Sequence, residues 1–439
     1  MIERQSAKNP MLRVMSLRDF RLLFSGSATS LLGDQFALIA TPWLVLQLTG
    51  DPLALGIVLA LEGIPRAVFM LIGGAITDRF SPRRVMFIAD VIRFVLTGLM
   101  AFVVLTGTVQ VWMLYAFSLG FGLVAGFAIP AQNSIVPLLV EEQDLPAGNS
   151  IIMGITQLAG FVGPTIAGVL IGGYSNSLFG IGLAFALDAA TFAISAACLW
   201  LIGGASQPTS TVVAEKESLW SSILAGMKSL WADDALRTMF LVLAAVNFFL
   251  VGPLLVGIPV LADQRLPEGA MAFGLLMSAS AGGNLVGYLL AGSLPRPGGL
   301  TMRVIMVALF AGFGVVVGLL GFIPFTWLDF ILLLLLGIGN GYIGIILITW
   351  MQTRAPKEML GRIMSLLMFS STGLIPVSQA ISGAVSKWSL DMLLITAGTM
   401  ALLVTFWMTL QPSFKAFSES LSSPQVGDGG SRLDSVPSH

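Results

Sequence analysis

Twelve apolar stretches, each about as long as a bilayer is thick, decide most of what this chain can fold into. They run at roughly 20–48, 53–77, 84–106, 110–131, 149–172, 178–202, 236–261, 271–293, 302–322, 326–350, 359–384 and 390–410. An α-helix crosses the hydrocarbon in about 20 residues, and a span of that length satisfies its own backbone in lipid. Only 10% of the 439 residues are charged, against about 25% in an ordinary soluble domain. The expected fold class is therefore an all-α polytopic membrane protein with twelve transmembrane helices.

The few charges test that count. With both termini cytoplasmic, eighteen of the 22 lysines and arginines fall on inside connections. Arg265 and Lys387 fall outside, and Arg66 and Arg93 lie within spans. So strong a positive-inside bias is scrambled by any odd number of helices. The basic N-terminus runs straight into the first apolar stretch, which continues past Asp34 to about Leu48, so a retained first helix is expected rather than a cleaved signal.

The longest internal connection, 203–235, opens with polar Gln207-Pro208-Thr209-Ser210-Thr211. It continues with Leu219, Trp220, Ile223, Leu224, Met227, Leu230 and Trp231 at steps of three or four, the pattern of an amphipathic helix on the membrane surface. It separates a six-helix half, 1–202, from a second, 236–412, and the polar tail 413–439 is expected to be disordered. A parallel repeat relates the halves at an offset of 215 residues: Leu145 to Leu360 and Gly122 to Gly337.

Composition also excludes chemistries. The single cysteine, Cys198, allows no intramolecular disulfide or thiolate cluster. The single histidine, His439, is the last residue, so the spans hold no histidine base, relay or metal ligand. No lysine follows a glycine, so the phosphate-binding Gly-x-x-x-x-Gly-Lys loop is absent. A chain that is not an enzyme is expected, with no cofactor, nucleotide or nucleic-acid partner.

Between the second and third spans lies Gly73-Gly74-Ala75-Ile76-Thr77-Asp78-Arg79-Phe80-Ser81-Pro82-Arg83-Arg84. It resembles the signature loop of the major facilitator superfamily: Gly74, Asp78, Arg79 and Arg83 match, and Ser81 and Pro82 depart. Ile129-Pro130-Ala131-Gln132-Asn133-Ser134-Ile135-Val136-Pro137, with Leu145 and Asn149, is similar to the connection between helices 4 and 5 in the branch of macrolide-efflux and enterobactin-type exporters. Phe20-Arg21-Leu22-Leu23, Gly33-Asp34, Gly226-Met227-Lys228 and Gly361-Arg362 fit the same branch, over residues 17–410. The resemblance implies the two-half major-facilitator fold and secondary transport. Gly160, Gly163, Pro164 and Gly168 resemble a helix-5 segment associated with antiporters in that superfamily; the resemblance favours export, with simple packing as the alternative. Proton-coupled relatives often carry an arginine in helix 4, whereas Tyr115–Ala131 has none.

Charged residues inside spans face cavities or one another. Asp34 is expected to exchange protons or touch substrate, or else to bond a neighbouring helix. Glu62 and Arg66, four apart, share a helix face and form an ion pair that a proton or substrate can compete with. Asp188 is either a coupling acid or a partner of a hydroxyl. Asp90 and Arg93 share a face and are expected to join the opening turn in a cytoplasmic gate. There, in the outward-open state, Asp78 is expected to meet the helix N-terminus at Gly361-Arg362, with Arg79 and Arg83 pairing Asp90 or nearby acids. Asp329 is expected near solvent. In the second half the polar candidates are uncharged: Asn247, Asn284, Asn340, Gln352 and Gln379.

The expected function is proton-driven export of an amphipathic or apolar small molecule across the cell membrane, by two halves rocking around a midplane site. Protons, the small-molecule cargo and the bilayer are the expected partners. A siderophore or lysolipid transporter of the same fold, or a non-transporting membrane receptor, remains open.

Overall fold

The computed structural model describes residues 9–77, 80–203, 219–295, 297–355, 360–415 and 417. Among these residues it is helical, with no strand. A short α1, Pro10–Ser16, precedes six long helices: α2 Arg18–Thr49, α3 Pro52–Thr77, α4 Pro82–Leu105, α5 Val111–Ile135, α6 Leu145–Gly172 and α7 Ser177–Leu201. Then come α8 Leu219–Ala232, α9 Asp234–Val246, α10 Gly252–Arg265, α11 Ala270–Ser293, α12 Gly299–Leu320, α13 Thr326–Arg354, α14 Leu360–Trp388 and α15 Leu390–Leu410. Eleven spans among the described residues are long and apolar enough to cross a membrane, with Asp234–Arg265 counted as one. The twelfth crossing is α14, 29 residues long.

The seventh span is the irregular one. Residues Asn247–Val251 form a π-helical turn between α9 and α10, just before Gly252-Pro253. Proline donates no backbone bond, and the Ser378 hydroxyl of α14 instead donates to the freed Phe248 carbonyl. Internal prolines elsewhere interrupt α2, α3, α5, α6 and α14 at Pro42, Pro65, Pro130, Pro164 and Pro376, whereas α4, α7, α12 and α15 have none. Among the helices that meet between the halves, α3, α6 and α14 carry such a proline and α11 does not.

In the first half α3 packs on α5, α4 on α7, and α2 on α6 and α7; in the second, α11 packs on α13, α12 on α15 and α10 on α14. The halves meet chiefly along α3–α14 and α6–α11. We call the end bearing Arg18 and Leu410 the terminal end and its opposite the far end. At the far end Gly50, in the left-handed region at φ 60°, closes α2, and the Asp51 carboxylate accepts from Leu53 N–H (2.9 Å) to start α3.

Contact between the halves fades from the far end to the terminal end. A Cβ on Gly56 would lie 2.6 Å from the Gln379 carbonyl, and one on Gly168 2.9 Å from Gly274 Cα. Nearer the middle, Ser278 Oγ bonds Thr165 N–H (3.0 Å) and Oγ1 (2.8 Å). At Gly160 the nearest neighbour would be Ala281 Cβ at 4.0 Å, and at Gly154 and Gly292 nothing lies within 4 Å. The far end also carries the hydrogen bond from Gln47 to Asp263 (3.1 Å) and the ion pair of Lys387 with Asp51 (2.9 Å) across the halves. The structure is thus closed at the far end and splayed at the terminal end.

The linker helix forms as α8 and packs on α9 and α14, with Leu230 fully buried and Trp231 edge-on to Phe240. The side chains at 219–225 lie outside the described residues. The start of the tail, expected to be disordered, is docked. Phe414 and Phe417 are fully buried, Phe417 stands edge-on to Trp350 at 4.5 Å, Arg303 lies over Phe414, and the Ser413 and Thr238 hydroxyls bond at 2.7 Å. Two phenylalanines three apart carry enough apolar surface to order a segment whose average composition is polar.

Candidate functional site

The first half concentrates its charge at mid-height. Asp34 is near the middle of α2, Glu62 and Arg66 of α3, Arg93 of α4 and Asp188 of α7. Glycines set these side chains close together. A Cβ on Gly33 would overlap the Thr191 hydroxyl and stand 2.7 Å from Asp188 Oδ1, so α2 lies directly on the acid of α7. A Cβ on Gly122 would overlap the Glu62 carbonyl, which fixes α3 against α5 at the turn bearing the ion pair. Bulkier residues at either position would push the charged groups apart.

Glu62 and Arg66 form the expected pair at 3.1 Å, both half-buried. Asp34 is half-buried and, among the described residues, has no hydrogen bond or ion pair; it lies within the fields of Arg93, Glu62 and Arg66. Asp188 is fully buried, and neither carboxylate oxygen has a partner. Its charged neighbours are Asp34 and Arg93. The Thr191 hydroxyl, one turn away, bonds the Asp188 backbone carbonyl (2.7 Å) instead of the carboxylate.

Arg93 sits elsewhere than expected. Its guanidinium lies beside the adjacent rings of Phe121 and Phe192, 5.3 and 5.4 Å from their centroids, which are themselves 6.1 Å apart. It makes no ion pair within 4 Å among the described residues, and its Nε is buried without a partner. Two neighbouring rings hold an arginine by cation–π attraction while leaving its charge uncommitted. Asp90 is buried and accepts from Ser195 Oγ of α7 at 2.7 Å. The pair therefore faces α7 and the midplane cluster. In this state Arg83 caps α7 by donating to the Leu199 and Trp200 carbonyls, both at 2.7 Å. Spacing had shown which residues share a face, but not which neighbour that face meets.

The remaining gate residues are only partly visible. Asp78 and Arg79 lie outside the described residues, as do the side chains of Gly361 and Arg362 at the start of α14; the backbone of Gly74 continues α3. Pro82 is the first residue of α4, so the departure at Ser81-Pro82 amounts to a helix start.

The helix-5-like segment lies on the seam. Gly163 faces Gln35 of α2, where a Cβ would stand 2.6 Å from Gln35 Cβ. Pro164 presents its carbonyl to Gly274, Gly168 meets Gly274, and Gly160 stands where α6 and α11 begin to part. In the second half Asn340 donates to Asn284 (2.8 Å), which donates to the Ser280 carbonyl (3.0 Å). Asn247 is buried in the π-helical turn with its amide nitrogen unpartnered, Gln379 is buried at the α3 seam, and Gln352 is exposed near the end of α13. Asp329, expected near solvent, is fully buried in the first turn of α13 with both oxygens unpartnered. The helix N-terminus there is favourable to an acid, which position along the span alone did not reveal.

Comparison with known proteins fits this arrangement. Residues 23–378 match the Major Facilitator Superfamily. The chain belongs to that superfamily. As one of its transporters it sits in the lipid bilayer and binds a small-molecule substrate. It is 26% identical over 354 residues to the multidrug efflux pump Tap of Mycolicibacterium fortuitum, covering 79% of this chain and 84% of that protein. It is also 26% identical over 350 residues to the enterobactin exporter EntS of Shigella flexneri, covering 78% and 79%. Among solved structures, a bacterial homologue of the iron transporter ferroportin in an inward-facing state superposes with a TM-score of 0.69 at 17% identity, over 91% of this chain and 98% of that one. A mutant form of the nucleoside transporter NupG superposes at 0.66 and 13% identity, over 93% and 100%. Both likenesses concern the fold.

Proposed function

We propose that this transporter exports an amphipathic small molecule in exchange for protons. The observation that carries the reading is a charge imbalance at mid-membrane: Asp34, Glu62, Asp90 and Asp188 against Arg66 and Arg93. Ionised together they leave two negative charges uncompensated where each is costly. Asp90 and Asp188 are buried beyond the reach of a cargo molecule, whereas a proton reaches them. Protons are thus the counter-charge that fits. Asp34, half-buried and without a partner among the described residues, passes its proton to and from the cluster, Glu62 is held ready by Arg66, and Arg93 supplies charge to whichever of Asp34 and Asp188 is ionised.

The direction follows from three supports. The positive-inside bias makes the terminal end cytoplasmic, so the splayed state is inward-open and ready to load. The Gly160–Gly168 segment lies on the seam about which the halves rock. The relatives Tap and EntS are both named for export. Asp78 remains our choice for the latch that holds the cytoplasmic end shut in the opposite state. The EntS likeness favours a second cargo, a siderophore.

Purified protein in liposomes under an imposed pH gradient tests the reading, with drug-like compounds and a catechol siderophore as cargo and the collapsed gradient as control. Asp34→Asn is expected to abolish gradient-driven accumulation and to keep ligand binding. Accumulation against a gradient by that variant removes Asp34 from the coupling role.

A further inference from the structure

A cavity of about 480 Å³ opens at the terminal end among α2, α5 and α6, within the 300–1,000 Å³ range of sites for drug-sized ligands. Its polar lining is Gln132, Asn133, Asn149, Thr156 and Gln157. No charged residue lines it. The four carboxamides make no hydrogen bond within the protein among the described residues, unlike Asn284 and Asn340, which bond each other. Each offers two donors and an acceptor, so the wall presents a dense set of unspent neutral hydrogen-bonding groups. The Thr156 hydroxyl, by contrast, is used on the Ile152 carbonyl (2.9 Å).

Leu31, Ile152 and the exposed Met153 supply an apolar side to the same space, and the flexible thioether adapts to varied shapes. Asn149, Met153, Thr156 and Gly160 share one face of α6, the face from which α11 diverges. Leu31 lies one turn before Asp34, so the deep end of the cavity leads toward the coupling acid. A permanent charge finds no partner on these walls and loses water on entering. A neutral molecule rich in hydroxyl, ester or amide groups replaces its water bonds with carboxamides.

We propose that this cavity is the loading site and that it takes an uncharged, hydrogen-bond-rich amphiphile. Calling the ligand cargo rests on the export reading above; the binding preference does not. The test is equilibrium binding to the full chain in nanodiscs with no gradient. The probes are forskolin, neutral and rich in hydroxyl and ester groups, and tetraphenylphosphonium, a cation without hydrogen-bonding groups.

Forskolin is expected to bind at least about tenfold more tightly than the cation, because several modest hydrogen bonds add. Asn149→Leu with Gln157→Leu is expected to weaken forskolin by about tenfold, and Thr156→Val by less than about twofold since that hydroxyl's one proton is already given to the Ile152 carbonyl. Asn149→Asp reverses the preference toward the cation. If the double variant does not fold, Gln157→Leu alone decides, with about a threefold loss. Equal forskolin binding by wild type and variant, or tighter binding of the cation by wild type, overturns the proposal. If these binding results hold while Asp34→Asn still accumulates cargo, the coupling assignment fails and the loading site stands.

Discussion

The two halves solve the same packing problem with different chemistry. In the first, Gly122 of α5 lies against the Glu62 carbonyl of α3; in the second, Gly337 of α13, 215 residues later, lies against the Ser280 carbonyl of α11. One turn on from Glu62 is Arg66, its ion-pair partner. One turn on from Ser280 is Asn284, which bonds that same carbonyl and Asn340. The seam is repeated and the charge is not. The comparison separates what the fold requires, a glycine allowing close backbone approach, from what one half alone carries, a set of acids and arginines at mid-membrane.

Removing charge from the first half should therefore have the largest effect. Asp34→Asn is expected to bring gradient-driven transport down to the level of protein-free liposomes. Asn284→Leu, which breaks a net contribution of about 0.5–1.5 kcal/mol per hydrogen bond, is expected to reduce transport by no more than about tenfold. Equal losses in the two would erase the functional asymmetry.

Next come the shared glycines. Gly122→Val and Gly337→Val each force side-chain atoms into a backbone carbonyl and are expected to destabilise by similar amounts, about 1–3 kcal/mol. Thermal unfolding in the same detergent measures both. A large drop for only one would mean that the seams are not equivalent.

The Arg93 site gives a smaller and more specific effect. Arg93→Lys keeps the charge but loses the planar guanidinium held against Phe121 and Phe192. Stacking of this kind contributes about 0.5–2 kcal/mol. The expected outcome is a several-fold slower exchange with an altered pH profile and unchanged forskolin binding. An unaltered pH profile would leave Arg93 a packing residue.

How much of this was legible in the sequence follows from what each signal reports. Hydropathy reports length and apolarity, and both are enough to place twelve spans. It does not report a π-helical turn, because Asn247–Val251 is as apolar as its surroundings; the Gly252-Pro253 pair was the local sign. Helical spacing placed Glu62 with Arg66, a contact within one helix. It could not place Arg93 against rings from α5 and α7, since that depends on how three helices pack. Average composition hid the docking of Phe414 and Phe417, where two residues decide the outcome. The acids of the cluster were visible as misplaced charges in apolar runs, but their imbalance against two arginines needed the fold.

The smallest expected effect lies where the halves touch in this state. The two cations at the far end are both committed: Lys387 to Asp51 across the halves, and Arg265 to Asp391 within the second (2.7 Å). The hydrogen bond from Lys387 holds the Asp51 carboxyl below the usual carboxylate range; burial opposes this, and the Leu53 N–H adds to it. A carboxyl lowered in the closed form stabilises that form fully above its ordinary value, near 4, and loses the contribution as pH falls through the lowered value. At neutral pH the pair is therefore intact, but both partners are largely solvated, so its contribution is about 0.2–1 kcal/mol. Lys387→Ala should then raise the far-end-open population by no more than about fivefold. Distances between spin labels on the α2–α3 and α12–α13 turns, in a Cys198→Ser background, read that shift. Acidification below about pH 4 should move wild type the same way and leave Lys387→Ala unmoved. If both proteins respond equally to acid, closure of the far end depends on the glycine seams alone, and the ion pair only decorates it.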